Sequence, residues 1–166
     1  SRLVELGSGL GSIALLAALL DFAPVLGIEC EPELVRRVAA LREEVGLAPA
    51  AVRFVAGSYL PPDMSLLAAV DEAVRRKYRT DAPSVFAACD LAAYDCWVAT
   101  PFPGADPLLR AIFRQHARPG SLLVEYVGEG PVRLLDTTGR SLEYHGSESD
   151  AELARCRRDL ERLRRT

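Results

Sequence analysis

The sequence has few of the residues that hold metals or form disulfide frameworks. It contains four cysteines and two histidines among 166 residues, and none of the cysteines forms a C-x-x-C pair. Neither a zinc site nor a disulfide framework is indicated. We therefore expect reduced thiols in a cytoplasmic protein.

Long apolar runs and an excess of positive charge are also lacking. The most apolar run, residues 13–20, is too short to span a bilayer, and it lacks the basic region and cleavage site of a signal peptide. The net charge of -3 argues against general binding to a polyanion. Neither a membrane nor a nucleic acid is the expected partner.

The sequence does contain enough apolar material for a core. Hydrophobic residues make up 49% of the chain, which suits one globular domain over residues 1–166. A glycine-rich loop begins only a few residues after Ser1, whereas such a loop normally follows a complete strand. We expect the chain to lack an upstream segment.

Strand and helix signals alternate along most of the chain, which predicts right-handed crossovers and a mostly parallel sheet. Predicted strands lie at 2–6, 25–29, 51–56, 95–100, 120–127, 132–136 and 141–145. Predicted helices lie at 11–22, 32–46, 65–78, 106–117 and from 149 onward. The last two strands flank a turn at 137–139 and predict an antiparallel hairpin. The predicted fold is a doubly wound α/β domain with this hairpin and a terminal helix.

The terminal segment is rich in arginine and carries Leu153, Leu160 and Leu163 at helical spacing. This pattern predicts an amphipathic helix that packs through its leucines and keeps a basic face in solvent.

The stretch VELGSGLGS, residues 4–12, places Gly7, Gly9 and Gly11 at alternate positions behind Glu5. Glycine permits positive φ and lets a ligand approach the backbone, and the following helix offers free N–H groups. Ligands of doubly wound sheets bind at the carboxyl ends of the strands, where this loop lies. The loop predicts a nucleotide-like ligand.

Glu29 ends the second predicted strand, where a carboxylate can accept two hydrogen bonds from a ribose diol. A dinucleotide motif, G-x-G-x-x-G, would require glycine at Ser12 and has no need of Glu5. A negative Glu5 disfavours a pyrophosphate but suits the ammonium group of an amino acid. The pattern favours S-adenosylmethionine over NAD.

Three stretches resemble motifs of the class I S-adenosylmethionine-dependent methyltransferases, a superfamily with a Rossmann-like fold. The stretches are VELGSGLGS, GIECEPELV (27–35) and VRFVAGSYL (52–60), and the resemblance covers about residues 2–127. It implies that the three glycines pass beneath the methionine moiety and that Glu5 engages its amino group through water or backbone. It also implies that Glu29 holds the ribose and that Cys30 lies beside the adenine.

The third motif implies that Gly57, Ser58 and Tyr59 lie near the adenine or the acceptor. Many family members have an acidic residue after this glycine, whereas this chain has Ser58, which retains one donor and two acceptor sites.

After the fourth predicted strand, amino-methylating members carry (Asn/Asp/Ser)-Pro-Pro-(Tyr/Phe). This chain has Thr-Pro-Phe-Pro from Thr100, without the Asn or Asp and with the aromatic one place early. Methylation of adenine or glutamine is therefore less favoured, and the stretch also fits a rigid turn. The chain is also similar to a little-characterised bacterial branch of the superfamily and to lysine methyltransferases, which keeps a protein amine among the candidate acceptors.

A sulfonium methyl group is already activated, so alignment alone can supply ~7–11 kcal/mol and a dedicated base is optional. Any base should lie near the ends of the fourth and fifth strands, where Thr100, Tyr126 and His145 are the candidates. The predicted function is methyl transfer to a small-molecule or protein amine. The alternatives are a non-catalytic S-adenosylmethionine-binding or scaffold domain and, less favoured, a nicotinamide-dependent oxidoreductase.

Overall fold

The computed structural model describes residues 1–63, 65–69, 71–78, 81–126 and 130–146, together with Ala154 and Arg158. The strands are β1 (Leu3–Leu6), β2 (Val25–Glu29), β3 (Val52–Ala56), β4 (Cys96–Ala99), β5 (Leu122–Tyr126), β6 (Val132–Asp136) and β7 (Ser141–Tyr144). The α-helices are α1 (Ser12–Leu19), α2 (Pro32–Glu44), α3 (Glu72–Arg75) and α4 (Asp106–His116). Short 3-10 turns cover Ser65–Ala69, Val85–Ala87 and Leu91–Ala93.

The described strands form one sheet in the order β3-β2-β1-β4-β5-β6-β7. β1 to β5 are parallel, and β6 and β7 form the antiparallel hairpin. The strand order reverses beside β1, which places the topological switch point at the carboxyl ends of β1 and β4. The predicted fold class is confirmed.

The core lies on both faces of the sheet, which is why β1 and β2 are apolar along nearly their whole length. α4 packs on one face, where Phe113 meets Trp97 of β4 with ring centroids 5.6 Å apart. α1 packs on the other face, where Ala14 and Ala18 belong to the cluster around Val25.

The helix predicted over 65–78 is wrong in its extent. The structure has a 3-10 turn at Ser65–Ala69 and the four-residue α3 instead. Asp71 separates them, because its backbone is extended and its carboxylate accepts a hydrogen bond from Ala73 N at 2.8 Å. A residue that caps a new helix cannot continue an earlier one.

The other predicted elements within the described residues are present, with ends shifted by up to three residues. The predicted terminal helix lies outside the described residues except for Ala154 and Arg158, which are both helical. No described helix is long and apolar enough to cross a membrane.

A buried ion pair ties α4 to the sheet. Glu125 of β5 is completely buried, and the Arg110 side chain donates to both of its carboxylate oxygens, with an Nη2–Oε2 distance of 2.7 Å. The hydrogen bonds to Glu125 raise the pKa of Arg110 above its ordinary value, so Arg110 stays charged. Removing the cation alone would leave a buried, unpaired carboxylate.

We expect Arg110→Ala to lower the free energy of unfolding by about 3–5 kcal/mol, measured by urea denaturation, because Glu125 loses its partner. Arg36→Ala is the matched control: it breaks an exposed pair with Glu33, which should be worth about 1 kcal/mol or less. Replacing both Arg110 and Glu125 by Met should recover most of the loss. If Arg110→Ala and Arg36→Ala lowered the free energy of unfolding equally, the stabilising role of the buried Arg110–Glu125 pair would be contradicted.

Candidate functional site

A cleft of about 180 Å³ lies at the carboxyl ends of the central strands, beside the switch point. It brings together seven of the residues predicted from the sequence with four that were not predicted individually. The predicted residues are Gly7, Glu29, Cys30, Gly57, Ser58, Tyr59 and Thr100. The others are Leu6, Lys77, Tyr78 and Phe102.

The glycine loop crosses the end of β2 and is fixed there by its backbone. The N–H groups of Gly7 and Ser8 both donate to the carbonyl of Ile28, at 2.9 and 2.8 Å. Gly7, Gly9 and Gly11 have φ values of +75°, +53° and +69°. Only glycine adopts these values at little cost, which explains the alternate spacing.

The glycines of this loop have different surroundings. A Cβ on Gly11 would lie 2.5 Å from Val38 Cγ2 and 2.6 Å from Phe54 Cε1, whereas a Cβ on Gly9 would meet nothing within 4 Å. Gly11 therefore allows α2 and β3 to pack against the loop. Gly9 is the glycine whose surroundings leave room for a ligand.

Glu29 connects the loop to the end of β2. Its Oε2 accepts a hydrogen bond from Gly9 N at 2.8 Å, and its Oε1 accepts from Glu31 N at 2.9 Å and from Cys30 Sγ at 3.3 Å. A carboxylate has about four acceptor sites. Glu29 thus positions the loop and retains some capacity to accept from a ligand.

Glu5 lies behind the loop and is buried. Its Oε2 accepts a hydrogen bond from Ala14 N at 3.0 Å, one of the N–H groups at the start of α1 that have no partner within the helix. The pKa of Glu5 is raised from 4.5 to about 7: burial is the main cause, the Ala14 hydrogen bond opposes it, and the negative charge of Glu29 makes a smaller contribution in the upward direction. The carboxyl group does not line the cleft.

Gly57 and Ser58 hold the segment that returns across the end of β3. Ser58 N donates to the Pro83 carbonyl at 2.8 Å, and Val85 N donates to the Ser58 carbonyl at 2.9 Å. A Cβ on Gly57 would lie 2.8 Å from the Pro83 oxygen. The Ser58 hydroxyl accepts from Leu60 N at 3.1 Å. These contacts give both residues a structural role, in addition to their place in the cleft wall.

Aromatic side chains form the opposite wall of the cleft. Tyr78 lies between Tyr59 and Phe102, with ring centroids 6.0 and 5.0 Å away, and Lys77 Nζ lies 5.3 Å from the Phe102 centroid. Burial raises the pKa of Tyr59 well above its ordinary value, so its hydroxyl stays protonated. The TPFP stretch pointed to Phe102, but no sequence signal placed Lys77 or Tyr78 here.

The three candidate bases are not brought together. Thr100 follows β4 and lines the cleft, whereas Tyr126 and His145 do not. Tyr126 is exposed at the end of β5. His145 follows β7, which is three strand positions from β4 and so about 14 Å from it. The described residues contain no cluster of three or more His, Cys, Asp or Glu side chains suited to a metal ion.

The same architecture occurs in known methyltransferases. An RNA methyltransferase from Salinibacter ruber, in complex with S-adenosyl-L-homocysteine, matches at 20% identity and a TM-score of 0.54, over 90% of this chain and 84% of that chain. A protein assigned as a sarcosine dimethylglycine methyltransferase from Galdieria sulphuraria matches at 14% identity and a TM-score of 0.52, over 75% of this chain and 38% of that chain. The chain has the Rossmann-like methyltransferase fold. No protein-family model and no curated protein matches it.

The methyltransferase fold accounts for the position of the cleft. In this fold the glycine loop follows the first strand and Glu29 ends the second, so both face the switch point from adjacent strands. At such low identity the likeness concerns the fold, and the chemistry has to be inferred from the residues of the cleft.

The raised pKa of Glu5 makes stability depend on pH. Between pH 4.5 and about 7 the folded protein keeps a proton on Glu5 that the unfolded chain has lost, so this contribution to stability is lost as the pH rises. Relative to Glu5→Gln, the free energy of unfolding of the unmodified protein should fall by about 2–3 kcal/mol from pH 5 to pH 8, measured in urea. If the two proteins differed in free energy of unfolding by the same amount at pH 5 and at pH 8, the raised pKa of a buried Glu5 would be contradicted.

Gly9 and Gly11 have different surroundings, so replacing each by alanine should lower the free energy of unfolding by different amounts. Gly11→Ala should lower the free energy of unfolding by about 2–5 kcal/mol, because the new methyl group overlaps Val38 and the backbone is left-handed. Gly9→Ala should cost only the backbone term, about 1–2 kcal/mol. Urea denaturation of both variants tests this, and equal losses would contradict the packing role of Gly11.

Proposed function

We propose that this protein is an S-adenosylmethionine-dependent methyltransferase acting on an amine of a small molecule or a protein. The observation that carries the proposal is the hydrogen bond from Gly9 N to Glu29, which sets an open glycine loop and a carboxylate side by side at the switch point. Doubly wound sheets commonly hold the adenosine part of a cofactor with such a pair: a carboxylate for the ribose diol and a bare backbone beside it.

The residues of the cleft fit this cofactor. Glu29 would accept from the ribose hydroxyls, and the backbone of Gly7 at the cleft wall would lie along the methionine moiety, with the uncrowded Gly9 next to it outside the wall. Cys30 and Ser58 would flank the adenine. The carboxylate of Glu29 at the cleft wall creates a negative potential, which favours a ligand that carries sulfonium and ammonium charges.

The cleft is small for the proposed cofactor, so binding would require the aromatic wall to move. Its volume of about 180 Å³ is below the ~300–1,000 Å³ typical of ligand sites. Tyr59 lies 3.7 Å from the position of a Cβ on Gly7, so its ring occupies space beside the loop. An outward rotation of Tyr59 and Tyr78 would enlarge the cleft along the loop.

The chemistry expected of the cleft is positioning. The cofactor supplies an activated methyl group, and the protein has to hold the acceptor in line with it. Thr100 and Phe102 follow β4 at the far side of the cleft from Glu29, where they would orient the acceptor amine. Tyr126 and His145 remain hypotheses as bases, and their positions outside the cleft wall give them less support than Thr100.

A non-catalytic S-adenosylmethionine-binding or scaffold domain is the second candidate. The observation that favours it is the engagement of Ser58, whose backbone and hydroxyl already form hydrogen bonds within the protein, where many methyltransferases have an acidic side chain.

The neighbour from Salinibacter ruber is described as an RNA methyltransferase. The net charge of -3 gives no support to an RNA acceptor for this chain.

Isothermal titration with S-adenosylmethionine, S-adenosylhomocysteine and NAD tests the proposal. We expect micromolar binding of both sulfur nucleosides and no binding of NAD. Glu29→Gln, which keeps the size of the side chain but removes its charge, should weaken binding by about 10-fold or more, and Glu29→Ala by about 100-fold or more.

The matched control is Glu33→Ala, which removes an exposed carboxylate four residues along the chain and should leave affinity unchanged. Thermal unfolding of each variant shows whether the fold is retained. Absence of binding by the folded, unmodified protein would overturn the proposal. Binding without transfer of a labelled methyl group to any tested amine would favour the second candidate.

A further inference from the structure

One face of the sheet is covered unevenly. On the α4 side, Trp97 and Leu123 are fully buried beneath that helix. On the opposite side, α1 and α2 cover the half of the sheet formed by β1, β2 and β3. The half formed by β4 to β7 has no described helix over it on that side.

The uncovered half is apolar. The strand register aligns Val98, Val124, Leu134 and Leu142 in one row across β4, β5, β6 and β7. Val98 is buried near α1, but the next three are only half-buried. Since alternate residues of a strand share a face, a second row on this side contains Tyr126, Val132 and Tyr144. We call these two rows the open face.

A groove of about 170 Å³ lies at the border of the open face, beside the first residues of β4 and β5. Its apolar walls come from Phe22, Leu122, Val124 and Leu134. Half-buried aliphatic side chains and an adjoining groove are the features expected where a further apolar element packs. The remaining question is what covers this surface.

The chain itself contains a matching element. Residues 147–166 follow Gly146 directly after β7, and they carry Leu153, Cys156, Leu160 and Leu163 at spacings of three, four and three. In a helix these four side chains form one stripe. Of the 16 other residues of this stretch, 11 are charged and the rest are serine, threonine or alanine, so the stripe holds all of its large apolar side chains.

The two described residues of this segment agree with an inward-facing stripe. Ala154 and Arg158 are both helical and both exposed. At about 100° per residue, they project from the side of the helix opposite to the stripe. Both exposed residues therefore lie away from the leucine stripe.

The dimensions also agree. A helix of about 15 residues is roughly 22 Å long, while four strands span about 14 Å between their outer axes. A segment tethered to β7 has an effective concentration in the millimolar range at the open face, far above that of a second copy in a dilute solution. Its own C-terminal segment is thus favoured over a second copy as the occupant.

We propose that residues 150–165 form a helix that docks on the open face through Leu153, Cys156, Leu160 and Leu163, with its arginines in solvent. This helix completes the second layer over β4 to β7. The proposal concerns the packing of the domain and is independent of the proposed methyl transfer.

Photo-crosslinking in the full chain tests the docking. Benzoylphenylalanine is placed at Leu134 on the open face and, in a second variant, at Leu142 of the same row. The matched control places it at Arg133, whose side chain lies on the opposite side of β6 and pairs with Glu143. Mass spectrometry of a mixture of ¹⁵N-labelled and unlabelled protein separates links within one molecule from links between two.

We expect links from positions 134 and 142 to peptides of residues 150–165 in the same molecule, and none from position 133. Links only between labelled and unlabelled molecules would overturn the proposal in favour of a second copy. Folded variants with no links to residues 150–165 would also overturn it.

A stability comparison provides an independent readout. Leu160→Asp should lower Tm by about 4–10 °C, because a charge replaces a docked leucine. Arg158→Asp, on the exposed side of the same helix, should change Tm by less than about 2 °C. Equal shifts in the two variants would overturn the docking.

Discussion

The hydrogen bond from Gly9 N to the Glu29 carboxylate is the interaction on which the site depends. It joins the loop after β1 to the end of β2, and the neighbouring bonds from Gly7 and Ser8 to Ile28 fix the same crossing. The sheet supplies the framework, because parallel pairing of β1 with β2 brings both ends to one edge. Since one carboxylate both orders the loop and lines the cleft, Glu29 has a structural role in addition to the ribose recognition that we propose for it.

The two carboxyl groups at this edge behave differently because their surroundings differ. Glu29 receives three hydrogen bonds at the cleft wall, whereas Glu5 is buried behind the loop with one bond to the start of α1. Burial favours the neutral form of Glu5, and the charge of Glu29 adds to that effect. A cationic ligand in the cleft would favour the ionised form, so the electrostatic state of the loop depends on occupancy.

Much of the fold and part of the site could be predicted from local patterns. Apolar runs and glycine spacing located β1, β2, α1 and the loop, because those signals lie within a few neighbouring residues. Lys77 and Tyr78 were not predicted as cleft residues. They follow α3, a short helix that begins after its cap Asp71, whereas the hydrophobic periodicity predicted one continuous helix over 65–78. The packing role of Gly11 and the pairing of Arg110 with Glu125 depend on residues distant in sequence, so no local pattern reveals them.

The outermost described strands, β3 and β7, determine how this sheet meets other molecules. Each is only four or five residues long, and each carries a charged side chain, Arg53 on β3 and Glu143 on β7. Short, charged edges disfavour pairing of their free backbone groups with a strand from another chain. A sheet whose outermost described strands are short and charged is thus resistant to edge-to-edge aggregation.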